Sequence, residues 1–266
     1  SKPYLINFKF IRYMFKIYIG FDSSNYGQQI AWDVCERSIL RNCSDISKIE
    51  KIKLEKKKLI NNSIFKRTDK DGATEFTYTR FFVPYLNNYK GYAIFVDSDF
   101  LWECDILELF DKYINPKYAV SCVKHKYINC NGKTKMDDQP QEWYPKKNWS
   151  SLMIFNCEHP NVVKNLNLDN VNIKSAKWLH RMEWCLENEI LEIPKEYNYL
   201  VDYYTDGNFK TLHYTDGGPW HPGYENVTFG DKWLKYISKE EKLKINWSIK
   251  NEYDRPRPYR LDTTIN

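Results

Sequence analysis

The stretch "GYAIFVDSDFLWECDILELF", residues 91–110, decides how the rest of the chain is read. Tyr92 to Val96 is an apolar run of strand length, and it stops abruptly at Asp97 and Asp99, one serine apart. A strand apolar on both faces belongs inside a sheet covered by helices, and "DILELF" has the spacing of a short helix that follows it. Carboxylates at the mouth of a core strand are costly unless positive charge meets them. Two of them at i and i+2 on a chain leaving a strand can converge on one hard cation. Magnesium and manganese both suit such a site, because they take oxygen ligands and leave positions for a substrate phosphate.

Outward from this stretch, strands and helices alternate. "FKIYIGFD", Phe15 to Asp22, reads as a first strand, and Ser24 or Asn25 can cap a helix whose apolar face is Ile30, Val34 and Ile39. A second strand falls near residues 48–60. "TEFTYTRFFVPYL", residues 74–86, has helical spacing interrupted by Pro84. "YAVSCVKH" (118–125) and "SSLMIFNC" (150–157) are further strand candidates, and "AKWLHRMEWCLENEI" (176–190) a further helix. "TLHYTDGGPW" (211–220) closes the ordered core in a Gly-Gly-Pro turn. The alternation predicts an α/β fold: one Rossmann-like domain over residues 14–266, with a mainly parallel central sheet and helices on both faces. Residues 1–13 read as an N-terminal extension. In such sheets ligands bind at the carboxyl ends of the strands, where Asp22, Asp97 and Asp99 all stand.

Several phosphate chemistries could use these carboxylates. A P-loop needs G-x-x-x-x-G-K-[ST]; "NGKT" at 131–134 is a fragment of it, but Tyr127 stands where the first glycine belongs. A phosphatase with an aspartyl nucleophile normally carries its Asp pair on the first strand, not the third. A two-metal nuclease needs more strand-end carboxylates than Asp22 adds. A nucleotide-sugar transferase fits, because a metal there neutralises a departing diphosphate. The alternatives that stay open are a nucleotidyl or phosphoryl transferase, and a non-catalytic carbohydrate- or nucleotide-sugar-binding protein.

Four landmarks in order give a resemblance. "IGFDSSNY" (19–26), "TEFTYTRFFVPYL", "GYAIFVDSDFLWECDILELF" and "LHYTDGGPW" (212–220) resemble those of metal-dependent glycosyltransferases of the GT-A fold, closest to the glycogenin-like and bacterial galactosyltransferase-like group. The resemblance implies Asp22, Ser23 and Tyr26 at the base and ribose of the donor, Arg80 near its diphosphate, and Ser98 lining the same site. It implies Asp97, Asp99 and His213 as the ligands of Mn²⁺ or Mg²⁺. It also implies a UDP-sugar donor, transfer to a hydroxyl on a glycan, a protein or a small molecule, and retention of configuration. The late signature departs from the group: it is one residue shorter, with Asp216 where a glycine is expected and no lysine before Pro219. Backbone N–H groups of Gly217 and Gly218, or Lys146 or Lys147, stand in for that lysine. Glu183 and Asp138 fall where the sugar and acceptor are handled, Asp138 in a long polar segment with Gln139 and Trp143. His125, His159, His180 and His221 read as structural.

Composition sets limits on this reading. The 266 residues carry 42% hydrophobic and 28% charged side chains, which suits a soluble domain with a proper core. A net charge of +5 is spread along the chain, and the run Lys51–Lys58 reads as a solvated helix face rather than a nucleic-acid patch. Tyr (21), Trp (9) and Phe (14) are abundant, and flat rings with a polar edge suit sugars and bases. Seven scattered cysteines without a CxxC pair argue for a reducing compartment. Lys9, Arg12 and Lys16 interrupt any signal-like segment, and no run is long enough to span a bilayer. A cytoplasmic protein is the expectation.

Overall fold

Apolar residues alternate between the two faces of Phe15–Phe21, and that stretch becomes strand β1. Ile17 and Ile19 face one layer of the core and Tyr18 the other. In this computed structural model, residues 14–23, 26–68, 74–129, 146–245 and 259–261 are described. The expected extension at 1–13 lies outside them. The later strands are β2 (Ile49–Glu55), β3 (Tyr92–Val96), β4 (Phe100–Trp102), β5 (Val120–Cys122), β6 (Tyr127–Asn129), β7 (Leu152–Asn156), β8 (Ile190–Glu192), β9 (Tyr199–Leu200), β10 (Thr211–His213) and β11 (Tyr259–Leu261).

Six strands form the central sheet in the order β2-β1-β3-β7-β5-β8. The pairs β1–β2, β1–β3 and β5–β8 are parallel. Only β7 is reversed, antiparallel to both β3 and β5. The sheet is therefore mainly parallel with helices on its faces, as the alternation predicts. On one face, Tyr18, Phe95, Met153 and Phe155 pack with Phe76–Val83 and the 162–184 region. On the other, Ile17, Ile94, Val96 and Ile154 pack with the helix Tyr26–Asn42, through Trp32, Cys35 and Ile39, and with Leu107–Phe110.

Four local readings change. Pro84 does not end its helix. Residues 80–82 tighten into a 3₁₀ turn whose Val83 N–H returns to the Arg80 carbonyl, and the helix resumes at Val83 with Pro84 in its first turn, where a missing N–H costs nothing. The run Lys51–Lys58 is not one helix face: residues 51–55 belong to β2, the sheet edge, where lysines discourage edge-to-edge pairing. The helix expected over 176–190 stops at His180, after Ser175 caps it. Met182 then takes a left-handed backbone (φ 55), and the chain turns into β8. Nor does the core end at Trp220, since helices Gly230–Leu234 and Lys239–Lys244 follow, and Trp233 packs on Trp220 with ring centroids 5.4 Å apart.

A second, three-stranded sheet, β4-β10-β9, positions the site. β10 runs antiparallel to β4, with His213 opposite Phe100, and Tyr214 N–H donates to Asp99 O at 3.0 Å. Two sequence-distant segments thus meet by a backbone ladder. Below it, Glu108 accepts from Lys210, Lys112 and Tyr197, joining the Leu107–Lys112 helix to the residues leading into β9 and β10. These partners, Lys210 first, hold its carboxyl down at about 2.

Candidate metal and donor site

Strand β3 ends at Val96, and the next N–H, of Asp97, continues the ladder to Ser151 O at 2.9 Å. The chain then turns through Ser98 and Asp99 into β4, which aims both carboxylates at the space beside β10. Carboxylate oxygens of Asp97 and Asp99 and a ring nitrogen of His213 all lie within 4.8 Å of one another. His213 Nε2 is 3.3 Å from Asp99 Oδ1. The imidazole is buried and stacks on Phe100, centroids 4.4 Å apart at 24°.

Positive charge does meet the strand-end carboxylates. Arg80 Nη2 lies 3.1 Å from Asp97 Oδ1 with both side chains buried. The guanidinium is fixed on its other edges: Nε donates to Phe76 O at 3.0 Å and Nη1 to Ser150 O at 2.7 Å, while Phe95 lies beneath it at 4.7 Å. A planar fork held on three sides is what arginine supplies and lysine does not.

The site has a second rank of groups that sequence reasoning left out. Asn198, fully buried, accepts from His213 Nδ1 at 2.8 Å. His125 lies beyond it. Burial, and then the neighbouring His213, push the His125 imidazole down to about 3, against a side-chain hydrogen bond with Asn198. It also meets the Tyr204 hydroxyl at 2.8 Å through Nδ1. His180 joins the Arg80 side: its Nε2–H donates to Thr77 O at 3.1 Å, so its Nδ1 accepts from Ser150 Oγ at 2.7 Å. The only sequence signal for these three was a polar residue inside an apolar context, and that does not separate a structural group from a supporting one.

The remaining expectations fall in different places. Asp22 is buried, and its Oδ2 accepts from Glu75 N at 3.2 Å, at the start of the helix that carries Arg80. Ser23 donates to Glu75 through both its N–H (2.8 Å) and its hydroxyl (2.9 Å). Tyr26 opens the first helix, and its side chain lies outside the described residues, as does Asp138. Ser98 is buried between the two aspartates, with no hydrogen-bond partner for its Oγ among the described residues. The N–H of Gly217 is already committed to Tyr214 O at 2.9 Å, and a Cβ on Gly218 would strike the Trp220 ring at 2.1 Å. Gly218 is thus required by packing, and Gly217 has no free donor to offer a phosphate. Lys146 pairs with Glu187 at 2.6 Å, whereas Lys147 is buried. Glu183 is exposed, in the turn after the short helix.

The donor set suits a divalent cation. Two carboxylates and one imidazole fit manganese, with magnesium tolerating the nitrogen less well.

No family model matches the sequence. Protein CDI of Arabidopsis thaliana is 38% identical over 237 residues, covering 86% of this chain and 88% of that protein. This chain belongs to the CDI family. The fold of this CDI relative is that of solved GT-A glycosyltransferases. The WbbM bifunctional glycosyltransferase superposes with a TM-score of 0.59 at 19% identity, over 88% of this chain and 52% of that one. The glycosyltransferase GlyE of Streptococcus pneumoniae gives 0.51 at 12%, over 89% and 62%. An active-site mutant of LgtC gives 0.52 at 12%, over 85% and 99%. The CDI-family chain therefore spans about half of WbbM and under two-thirds of GlyE, but nearly all of LgtC. No helix among its described residues is long and apolar enough to cross a membrane.

Proposed function

We propose that the protein is a glycosyltransferase that moves a sugar from a nucleoside-diphosphate donor, a UDP-sugar, to a hydroxyl acceptor with retention of configuration. The observation that carries this reading is the cluster of Asp97, Asp99 and His213 at the carboxyl end of β3 on a GT-A sheet. Asp97, Asp99 and His213 hold Mn²⁺, the imidazole favouring it over Mg²⁺. When bound, the metal supplies Lewis-acid stabilisation of the charge that develops on a departing diphosphate.

Every other contribution comes from the chain. Arg80 keeps Asp97 ionised and oriented and adds a fixed cation beside the phosphate position. Ser98 gives its unspent hydroxyl to the donor. Asp22 and Ser23, which set the start of the Arg80 helix, also border the nucleoside, with Tyr26 stacking on the base. Glu183 and Asp138 serve the sugar and acceptor. Lys147 replaces Gly217 as the first candidate for the diphosphate contact, because the Gly217 N–H is spent in its turn.

The test is a donor screen in the presence of Mn²⁺, reading release of UDP or GDP with and without sugar acceptors. Release of UDP from one UDP-sugar, abolished by chelation, is the expected result. Release of pyrophosphate or inorganic phosphate instead would assign a nucleotidyl or phosphoryl transferase, and donor binding without turnover would leave a binding protein.

A further inference from the structure

Asn198 sits at the end of the 3₁₀ turn Lys195–Asn198, immediately before β9, and carries no charge, no exposure and no place in the donor chemistry above. Its hydrogen bonds nevertheless determine which nitrogen of His213 is free. Ser151 Oγ spends its only hydrogen on Asn148 O at 2.6 Å. Toward Asn198 it can then only accept, so the atom 2.9 Å away from it is the amide nitrogen. The same nitrogen reaches the Asn148 carbonyl at 3.4 Å, a group that is also purely an acceptor. The amide oxygen is left facing His213 Nδ1 at 2.8 Å, and an oxygen without hydrogen must receive one. Nδ1 therefore carries a hydrogen, and Nε2 is the nitrogen left to face Asp97 and Asp99.

We infer that Asn198 is a positioning residue for the metal ligand His213, fixing its tautomer and ring orientation through an ordered relay that starts at the Asn148 carbonyl. The inference deepens the metal reading of the same site and rests on it for its function, though not for its geometry. The relay also says why Nε2, rather than Nδ1, is the nitrogen aimed at the carboxylates. Partners of this kind orient metal-bound histidines, and their loss typically costs about 10–100-fold in metal affinity. Asn148 itself holds a left-handed backbone (φ 62) just before the 3₁₀ turn Trp149–Ser151, and its side chain meets Thr215 Oγ1 at 3.5 Å. The relay therefore begins at a rigid turn next to the chain leaving β10. Ser151 adds a second tie, because its carbonyl accepts the N–H of Asp97. One short segment thus aligns a carboxylate ligand through its backbone and the imidazole ligand through its side chain.

The experiment has two readouts on the full chain. The first is long-range ¹H–¹⁵N NMR of metal-free protein labelled at histidine, which reports the tautomer of His213 directly. The second is Mn²⁺ binding by the metal alone, followed by electron paramagnetic resonance. The wild type is expected to show hydrogen on Nδ1. Asn198→Asp, which keeps an acceptor for Nδ1–H, is expected to retain that signature. Asn198→Leu is expected to lose it and to bind Mn²⁺ about 10–100-fold more weakly. A metal-free wild type without hydrogen on Nδ1 overturns the inference, even in a protein that binds Mn²⁺ well. So does an Asn198→Leu protein with unchanged tautomer and Mn²⁺ affinity. Should Asn198→Leu fail to fold, the wild-type and Asn198→Asp spectra decide. A wild type with hydrogen on Nδ1 but no Mn²⁺ binding retires the metal reading and upholds the tautomer assignment.

Discussion

Asp97 and Glu183 are both acidic residues placed by sequence in one donor and acceptor cleft, and their surroundings could hardly differ more. Asp97 is buried, its N–H is bonded to a neighbouring strand, and its carboxylate is paired with an arginine that is itself held by two carbonyls. Glu183 is exposed on a turn. The comparison teaches that the carboxylate cluster beside β10 is set before any ligand arrives, whereas the residue proposed for the acceptor is left to solvent. Preorganised charge is most useful where charge develops in the reaction, and an acceptor surface gains from being open to its partner.

The largest way to break that contrast is at the ligands. Asp97→Asn and Asp99→Asn should each lower donor turnover about 100-fold or more, since the stabilisation lost with the metal amounts to several kcal/mol. UDP release with parallel Mn²⁺ titration measures this, and normal turnover in both variants would falsify the metal reading. Next comes the counter-ion. Arg80→Met leaves Asp97 buried without its partner and should cost about 3 kcal/mol of stability, read as a lower urea midpoint. A midpoint equal to that of the wild type would mean that water already reaches Asp97.

On the open side, Glu183→Ala should lower kcat/KM for the complete reaction about tenfold, the worth of one charged hydrogen bond, with Mn²⁺ affinity unchanged. If kcat/KM does not move, Glu183 leaves the site. The smallest effect belongs to the strut below the cleft. The carboxyl of Glu108 is held at about 2, below its unfolded value, so its contribution is complete above the ordinary carboxylate range and fades as pH falls toward 2. Glu108→Gln should lower the melting temperature by about 2 °C at pH 7, because these partners are partly exposed and screened, and by nothing measurable near pH 2. An equal loss at both pH values would point to packing rather than charge.

How much of this was legible in the sequence depends on the kind of interaction. The strand ending at Asp97 is visible because an apolar run and two carboxylates are local facts. His213 is visible only through a short signature, because its meeting with Asp99 is made by pairing β4 with β10, two segments far apart in sequence. Asn198 and His180 are not visible at all: a lone polar residue carries no mark of the partner that folding brings to it. The 176–190 helix fails for a local reason that no propensity shows, since Met182 adopts a left-handed backbone and strand pairing claims Ile190. The spent N–H of Gly217 is a fact of one turn, and composition cannot disclose it.

The β4–β10 pairing also sets an order of events during synthesis. A nascent chain that has emerged only as far as β9 already owns both aspartates, Arg80 and all six strands of the central sheet, but not His213. Domains form as the chain leaves the ribosome, and a contact between distant segments waits for the later one. Translation itself thus acts as the last assembly step of the site, and a polypeptide terminated before Thr211 would be folded in large part yet hold Asp97 and Asp99 without His213.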